Sequence, residues 1–140
     1  MFRHAAILAL LVGACTAPQV APSIVAQANR CSPASPALLS AISQGLTVQG
    51  GGTLQAGYTV KSADYEKVWM VAAEINGAGM DGVGDVGLWA TNDLNGAGMI
   101  FAVDGMANEF SDWADGRATD AQLSISDDGA SEAKECTSGG

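Results

Sequence analysis

The sequence predicts an α+β fold: a small antiparallel sheet, a meander of about four to six strands, with two or three short helices packed on one face. Three observations carry that expectation. The apolar runs Val68 to Ile75, Val86 to Thr91 and Met99 to Val103 have the length of strands. The connections between them share a unit, Glu74-Ile75-Asn76-Gly77-Ala78-Gly79-Met80 echoed by Asp93-Leu94-Asn95-Gly96-Ala97-Gly98-Met99. Each opens on an Asn-Gly pair, which tolerates the positive φ that tight hairpin turns require. Segments on either side of these runs carry helix-capping residues instead.

Taken in chain order, the first helix is expected over 35–45. Ser35 can cap it, Pro36 suits its first position, Gly45 suits its stop, and Leu38, Leu39 and Ile42 share one face. From Leu46 the period changes to that of a strand. Leu46-Thr47-Val48-Gln49, a turn at Gly50-Gly51-Gly52, and Thr53 to Ser62 with Tyr58 and Val60 alternating predict a hairpin. The three apolar runs follow as central strands. Asp104 then caps a helix on which Met106, Phe110 and Trp113 fall on one face. Leu123 to Ser126 predicts a further strand, and Asp127 or Asp128 opens a last helix with Ala130, Ala133 and Cys136 along one side.

The first thirty residues have a different character. Arg3 and His4 precede a short apolar stretch, Ala5 to Leu11, and the small residues Gly13 and Ala14 lead to Cys15. A bilayer span needs roughly 20 apolar residues, so the pattern suits a cleavable secretion signal rather than a permanent transmembrane helix. Val12-Gly13-Ala14-Cys15 resembles the lipobox of bacterial lipoproteins. The resemblance implies cleavage between Ala14 and Cys15, a diacylglyceryl group on Cys15, and often acylation of its new amine. It implies a domain anchored on the extracytoplasmic side of the cell membrane or outer membrane, because two or more acyl chains hold a protein stably where one is marginal. An ordinary secretory signal and a buried N-terminal helix of a cytosolic domain are the alternatives. Further along, Tyr58-Thr59-Val60-Lys61-Ser62 and Ala107-Asn108-Glu109-Phe110-Ser111-Asp112-Trp113 are weakly similar to small actinobacterial lipoproteins of uncharacterised function, a similarity that carries no site residue.

This organisation divides the chain into a signal over 1–14, a lipidated cysteine and tether over 15–30, and one domain over 31–140. The tether contains Pro18 and Pro22 with little periodicity, and fully extended it reaches about 50 Å. With Cys15 taken by lipid, Cys31 and Cys136 remain as a pair in an oxidising compartment, and a disulfide is the economical reading beside two free thiols.

Charge and composition exclude more than they suggest. The chain has 15 Asp and Glu against 6 Lys and Arg, and one of those bases, Arg3, lies in the signal. Nucleic acids and anionic headgroups select clustered bases, so neither is an expected partner. The only histidine, His4, also lies in the signal, which leaves no imidazole base, triad or histidine metal ligand after cleavage. No catalytic residue and no cofactor is expected.

Carboxylates are the remaining chemistry. Glu74, Asp81 and Asp85 surround the first Asn-Gly loop and Asp93 opens the second, so several acids can gather at one sheet edge. Paired carboxylates at about 5 to 9.5 Å cleave glycosides. The same loops offer side-chain oxygens for calcium, with Asp81, Asp85, Asp93 and Asn95 the weak metal candidates and Asn76 and Asn92 beside them. No EF-hand matches, because aligning Asn95-Gly96 to that loop puts Thr91 first and Ala102 last. Among Trp69, Trp89 and Trp113, core packing is expected for at least two, and Trp113, flanked by Asp112 and Asp115, is the candidate binding surface. The leading expectation is a non-enzymatic, lipid-anchored envelope module that binds a protein or wall component or plays an accessory role. A carboxylate enzyme acting on envelope glycans and a calcium-stabilised module are the alternatives.

Overall fold

The computed structural model describes residues 30–139. The signal, Cys15 and the tether up to residue 29 lie outside the described residues. The sheet has five strands in the order of the chain, β1 (Ser32–Pro33), β2 (Thr53–Lys61), β3 (Trp69–Gly77), β4 (Met80–Thr91) and β5 (Ile100–Ala102), each antiparallel to the next. With helices α1 (Pro36–Ser43), α2 (Gly105–Phe110) and α3 (Ala130–Gly139) it is the expected α+β meander. No helix among the described residues is long and apolar enough to cross a membrane.

The helices divide between the faces rather than sharing the one face expected, because β3 is apolar on both sides and both must be covered. Leu38 and Ile42 of α1 and Ala107 of α2 pack with Leu54, Val71, Ile75 and Trp89, so these two share one face. Ala130 and Ala133 of α3 cover the other face with Val60, Met70, Leu88 and Val103. Strand β3, buried on both sides, therefore reads as a continuous apolar run, as a doubly covered strand must. An irregularity between Gln55 and Tyr58 in β2, with Ala56 at φ 48°, resets the alternation. It turns Leu54 towards α1 and Val60 towards α3.

Caps explain the helix limits. Ser35 accepts the Leu38 N–H at 3.1 Å and Pro36 begins α1. Asp104 accepts the Ala107 N–H at 2.9 Å and begins α2. Helix α2 stops at Phe110, before Trp113, because Ser111 turns to extended backbone and bridges Leu46. That bridge also corrects the expected hairpin. Residues 46–49 do not pair with β2; Thr47 N–H donates to the Phe110 carbonyl and Asp112 N–H to that of Gly45, tying the segment to α2 instead. Nor is Leu123 to Ser126 a strand. Leu123 N–H donates to the Gly116 carbonyl and Ser124 N–H to the Asp127 carboxylate, so the segment folds locally around those acceptors.

Glycine admits two indoles. A Cβ on Gly87 would lie 2.4 Å from Cη2 of Trp89, whose fully buried ring lies over Gly87 on the α1 face of the sheet. A Cβ on Gly45 would meet Nε1 of Trp113 at 2.4 Å, and that same N–H donates to the Ile42 carbonyl at 2.9 Å.

The domain's first and last segments are fastened together. Cys31 and Cys136 are bridged, with Cα atoms 6.4 Å apart. Immediately before the bridge, Arg30 spreads its guanidinium over two acids of the α3 start: Nε donates to Glu132 at 2.9 Å and the terminal nitrogens to Asp128 at 2.9 and 3.2 Å. Asp128 also accepts the Ala63 N–H at 2.7 Å, so the β2–β3 connection joins the knot. The Arg30 hydrogen bond, and then that backbone N–H, hold the Asp128 carboxyl below the usual carboxylate range. A carboxyl lowered by folding stabilises above its unfolded value and loses that contribution as pH falls through its folded value. Arg30→Gln is accordingly expected to lower the urea midpoint at pH 7. The difference from wild type should shrink below about pH 4 and vanish once Asp128 is protonated. An offset that did not change with pH would refute the assignment.

Candidate functional site

A meander reverses at alternate ends, and this decides where the candidate acids go. Asp81 and Asp85 lie at the β3–β4 hairpin, whereas Asp93 and Asn95 lie in the β4–β5 loop, beyond the other end of β4. Most of β4 lies between the groups, since Asp93 is eight positions beyond Asp85 and twelve beyond Asp81, and at about 3.3 Å per residue this puts them roughly 20 Å apart or more. They form neither one metal site nor one acidic edge, which corrects that expectation. Each group is occupied locally. Asp85 accepts the Asp81 N–H at 2.6 Å, while Asp93 Oδ1 accepts the N–H groups of Asn95 at 2.8 Å and Ala97 at 3.2 Å. Asn92 Oδ1 accepts the Met99 N–H at 2.8 Å, so these side chains shape their own loop. Among the described residues no group of three or more His, Cys, Asp or Glu is arranged to hold a metal ion.

The Asn-Gly pairs also differ from each other. At the first, Asn76 and Gly77 are still paired, with Asp81 and Met80, and the turn is Ala78-Gly79. At the second, Asn95-Gly96 lies within a longer loop wrapped on Asp93. Trp113, the candidate surface, is half-buried against the α1 face, with its N–H committed to Ile42. Trp69 is half-buried at the start of β3, with the Lys61 ammonium 5.5 Å from its ring centre.

The site the structure does assemble lies elsewhere. Helix α3 covers the sheet over β2 and β3, and beside it a groove of about 590 Å³ opens along β4. Val86 and Leu88 of β4, Met106 at the start of α2, Ile125, and Ala130 and Lys134 of α3 line it, with Val83 and Gly84 at the hairpin end. Two of the three large apolar side chains exposed among the described residues are here, Val83 at 73% and Ile125 at 60%. Within the groove wall Asp104, 7% exposed, meets Lys134 at 2.5 Å. Asp104 Oδ1 also accepts the N–H groups of Leu88 at 3.1 Å and Ala107 at 2.9 Å. One carboxylate thus joins β4, α2 and α3, which fixes the wall's shape.

A second cavity of about 240 Å³, lined mainly by Val68, Ala90, Phe101 and Leu123 with Met99 exposed at its edge, lies near the β4–β5 loop. It is below the usual range for small-molecule sites, about 300 to 1,000 Å³, whereas the β4 groove falls within it.

Sequence patterning had a partial signal for this site. Val83 stands alone between Gly82 and Gly84, and Ile125 between Ser124 and Ser126, and an isolated apolar residue among turn residues has no strand or helix face to join. The Asp104–Lys134 pair had none, since the sequence separation of 30 between its members is spanned only by the folded chain.

No family model matches this chain, and no match is found among curated proteins or solved structures.

Proposed function

We propose that the protein is a lipid-anchored module of the cell envelope that binds a partner rather than transforming a substrate. The single observation that carries the binding part is the β4 groove, where Val83 and Ile125 remain exposed on a strongly acidic domain. Exposed apolar side chains gathered at one concave site mark interaction surfaces, whereas singly scattered ones do not. The groove's charged members are spent on each other and on backbone N–H groups, an arrangement that suits a rigid wall. Its attachment rests on the lipobox resemblance at Val12 to Cys15 and on the proline-bearing segment that follows.

The disulfide and the Arg30 knot support the same reading. They fasten the residues where a tether would join to the start and end of α3, so that strain on the anchor is met by a covalent bond rather than by the two-residue strand β1.

Anchoring has a direct test. Wild type should partition into the detergent phase and Cys15→Ser into the aqueous phase; equal aqueous partitioning of both would sink the lipoprotein reading. For binding, crosslinking in intact envelopes should yield adducts that Val83→Asp reduces.

A further inference from the structure

We propose that the groove along β4 receives a short, extended, basic segment of a partner protein, which adds a strand to the open edge of the sheet. This rests on the binding-module reading and names the class of partner.

The edge is open because the last two strands are unequal. Strand β4 has 12 residues and β5 has 3, and β5 pairs only with Trp89, Ala90 and Thr91. At Leu88 the missing neighbour is replaced piecemeal: its carbonyl accepts the Val103 N–H at 2.9 Å and its N–H donates to Asp104 Oδ1 at 3.1 Å. Main-chain groups alternate in direction along an antiparallel strand, so Val86, two residues earlier, points its N–H and carbonyl towards the same side. On that side, away from β3, no strand pairs with β4 there among the described residues. The groove runs alongside, with the apolar side chains of Val83, Val86, Met106 and Ile125. Unpaired main-chain groups beside apolar pockets are the two components of recognition by strand addition.

Charge chooses the occupant. A second copy pairing antiparallel through the same edge would bring together two domains of like charge, whose 15 acids, Asp85 beside Val86 among them, all lie within the described residues. The edge is also blunted against long pairing. Val83 to Asp85 bulge out between the Glu74–Val86 and Ile75–Gly82 pairs, and Asp85 occupies the Asp81 N–H. What remains accommodates a short strand at Val86, and the flanking carboxylates favour Lys or Arg on it.

The test uses the full-length chain carrying Cys15→Ser, labelled with ¹⁵N and titrated with the peptide Lys-Val-Lys-Val-Lys. Amide shifts are expected at Gly84 to Leu88 and around Ile125. A Glu-for-Lys peptide and an N-methylated peptide should each bind at least about tenfold more weakly. Val83→Asp, at an exposed position, should keep the dispersed spectrum and lose the shifts. Absence of shifts at this edge overturns the proposal. Equal binding of the N-methylated peptide overturns it in favour of a small apolar ligand, and a concentration-dependent dimer abolished by Val83→Asp overturns it in favour of a second copy. If the peptide fails while Val83→Asp still reduces the envelope adducts, the binding module stands and strand addition falls.

Discussion

Replacing Cys31 and Cys136 together by alanine is expected to cost about 3 to 5 kcal/mol of unfolding free energy. The bridge spans a sequence separation of 105 residues, nearly the whole described domain. Chain-entropy arguments give roughly 4.7 kcal/mol for a loop of about 100 residues, with strain and residual structure in the unfolded chain lowering the realised value. The position adds a second contribution. Strand β1 pairs with β2 through only two residues, Ser32 with Thr59 and Pro33 with Tyr58, and its proline has no N–H to donate. Without the bridge, the segment keeps the Arg30 pairs to Asp128 and Glu132 and a few bonds to β2, among them Thr59 Oγ1 to the Ser32 carbonyl and Ala34 N–H to that of Gly57. Urea unfolding of the double variant beside wild type, each with and without reductant, measures the effect. Reductant should bring wild type down to the variant and leave the variant unmoved. A loss below about 1 kcal/mol would mean that the unfolded chain is not appreciably constrained by this bridge.

The elements legible in the sequence were those whose determinants are local. Helix α1 follows from Ser35, Pro36 and the Leu38–Ile42 spacing, and each of these contacts lies within one or two turns. The central strands follow from apolar runs long enough to be covered on both faces. Where a segment's partner lies far along the chain, pattern gave the wrong result. Leu46 to Gln49 has strand composition, but its acceptor is the Phe110 carbonyl, some sixty residues on, and this outcompetes the adjacent hairpin. Leu123 to Ser126 failed differently: it has the composition of a strand, but nearby acceptors, the Gly116 carbonyl and the Asp127 carboxylate, fold it on itself. The acids suffered from a topological error rather than a chemical one. Resemblance between the two Asn-Gly loops suggested a common location, while the single strand between them, β4, sends them to opposite ends. The groove was least legible, because it exists where β5 is shorter than β4, and strand length is set by what each strand finds to pair with.

Asp104 is where that groove is most exposed to a single substitution. Asp104→Ala removes an acceptor from three donors at once: the N–H groups of Leu88 and Ala107 and the ammonium of Lys134. Loss of a helix N-cap costs about 1 kcal/mol, and a buried donor left unmade about 1 to 3 kcal/mol. Breaking a buried pair costs about 3 to 5 kcal/mol, but Lys134 is 39% exposed and regains water, which places its share at the low end. A total loss of about 3 to 4 kcal/mol is therefore expected, read from urea unfolding. Asp104→Asn keeps an oxygen for the two N–H groups and gives up the ion pair, so it should cost about half as much. Lys134→Met leaves the carboxylate with both backbone donors and should be milder still. The order Ala, Asn, then Met tests the assignment more sharply than any one value. If Lys134→Met proved as damaging as Asp104→Ala, the ion pair rather than the backbone caps would be what holds β4, α2 and α3 together. Since Leu88 N–H is the last edge group that Asp104 covers before Val86, the Asp104→Ala chain should also lengthen the open edge by one pairing position. Lys-Val-Lys-Val-Lys should then shift Leu88 more strongly in that variant than in wild type, and an unchanged Leu88 response would detach the carboxylate from control of the edge.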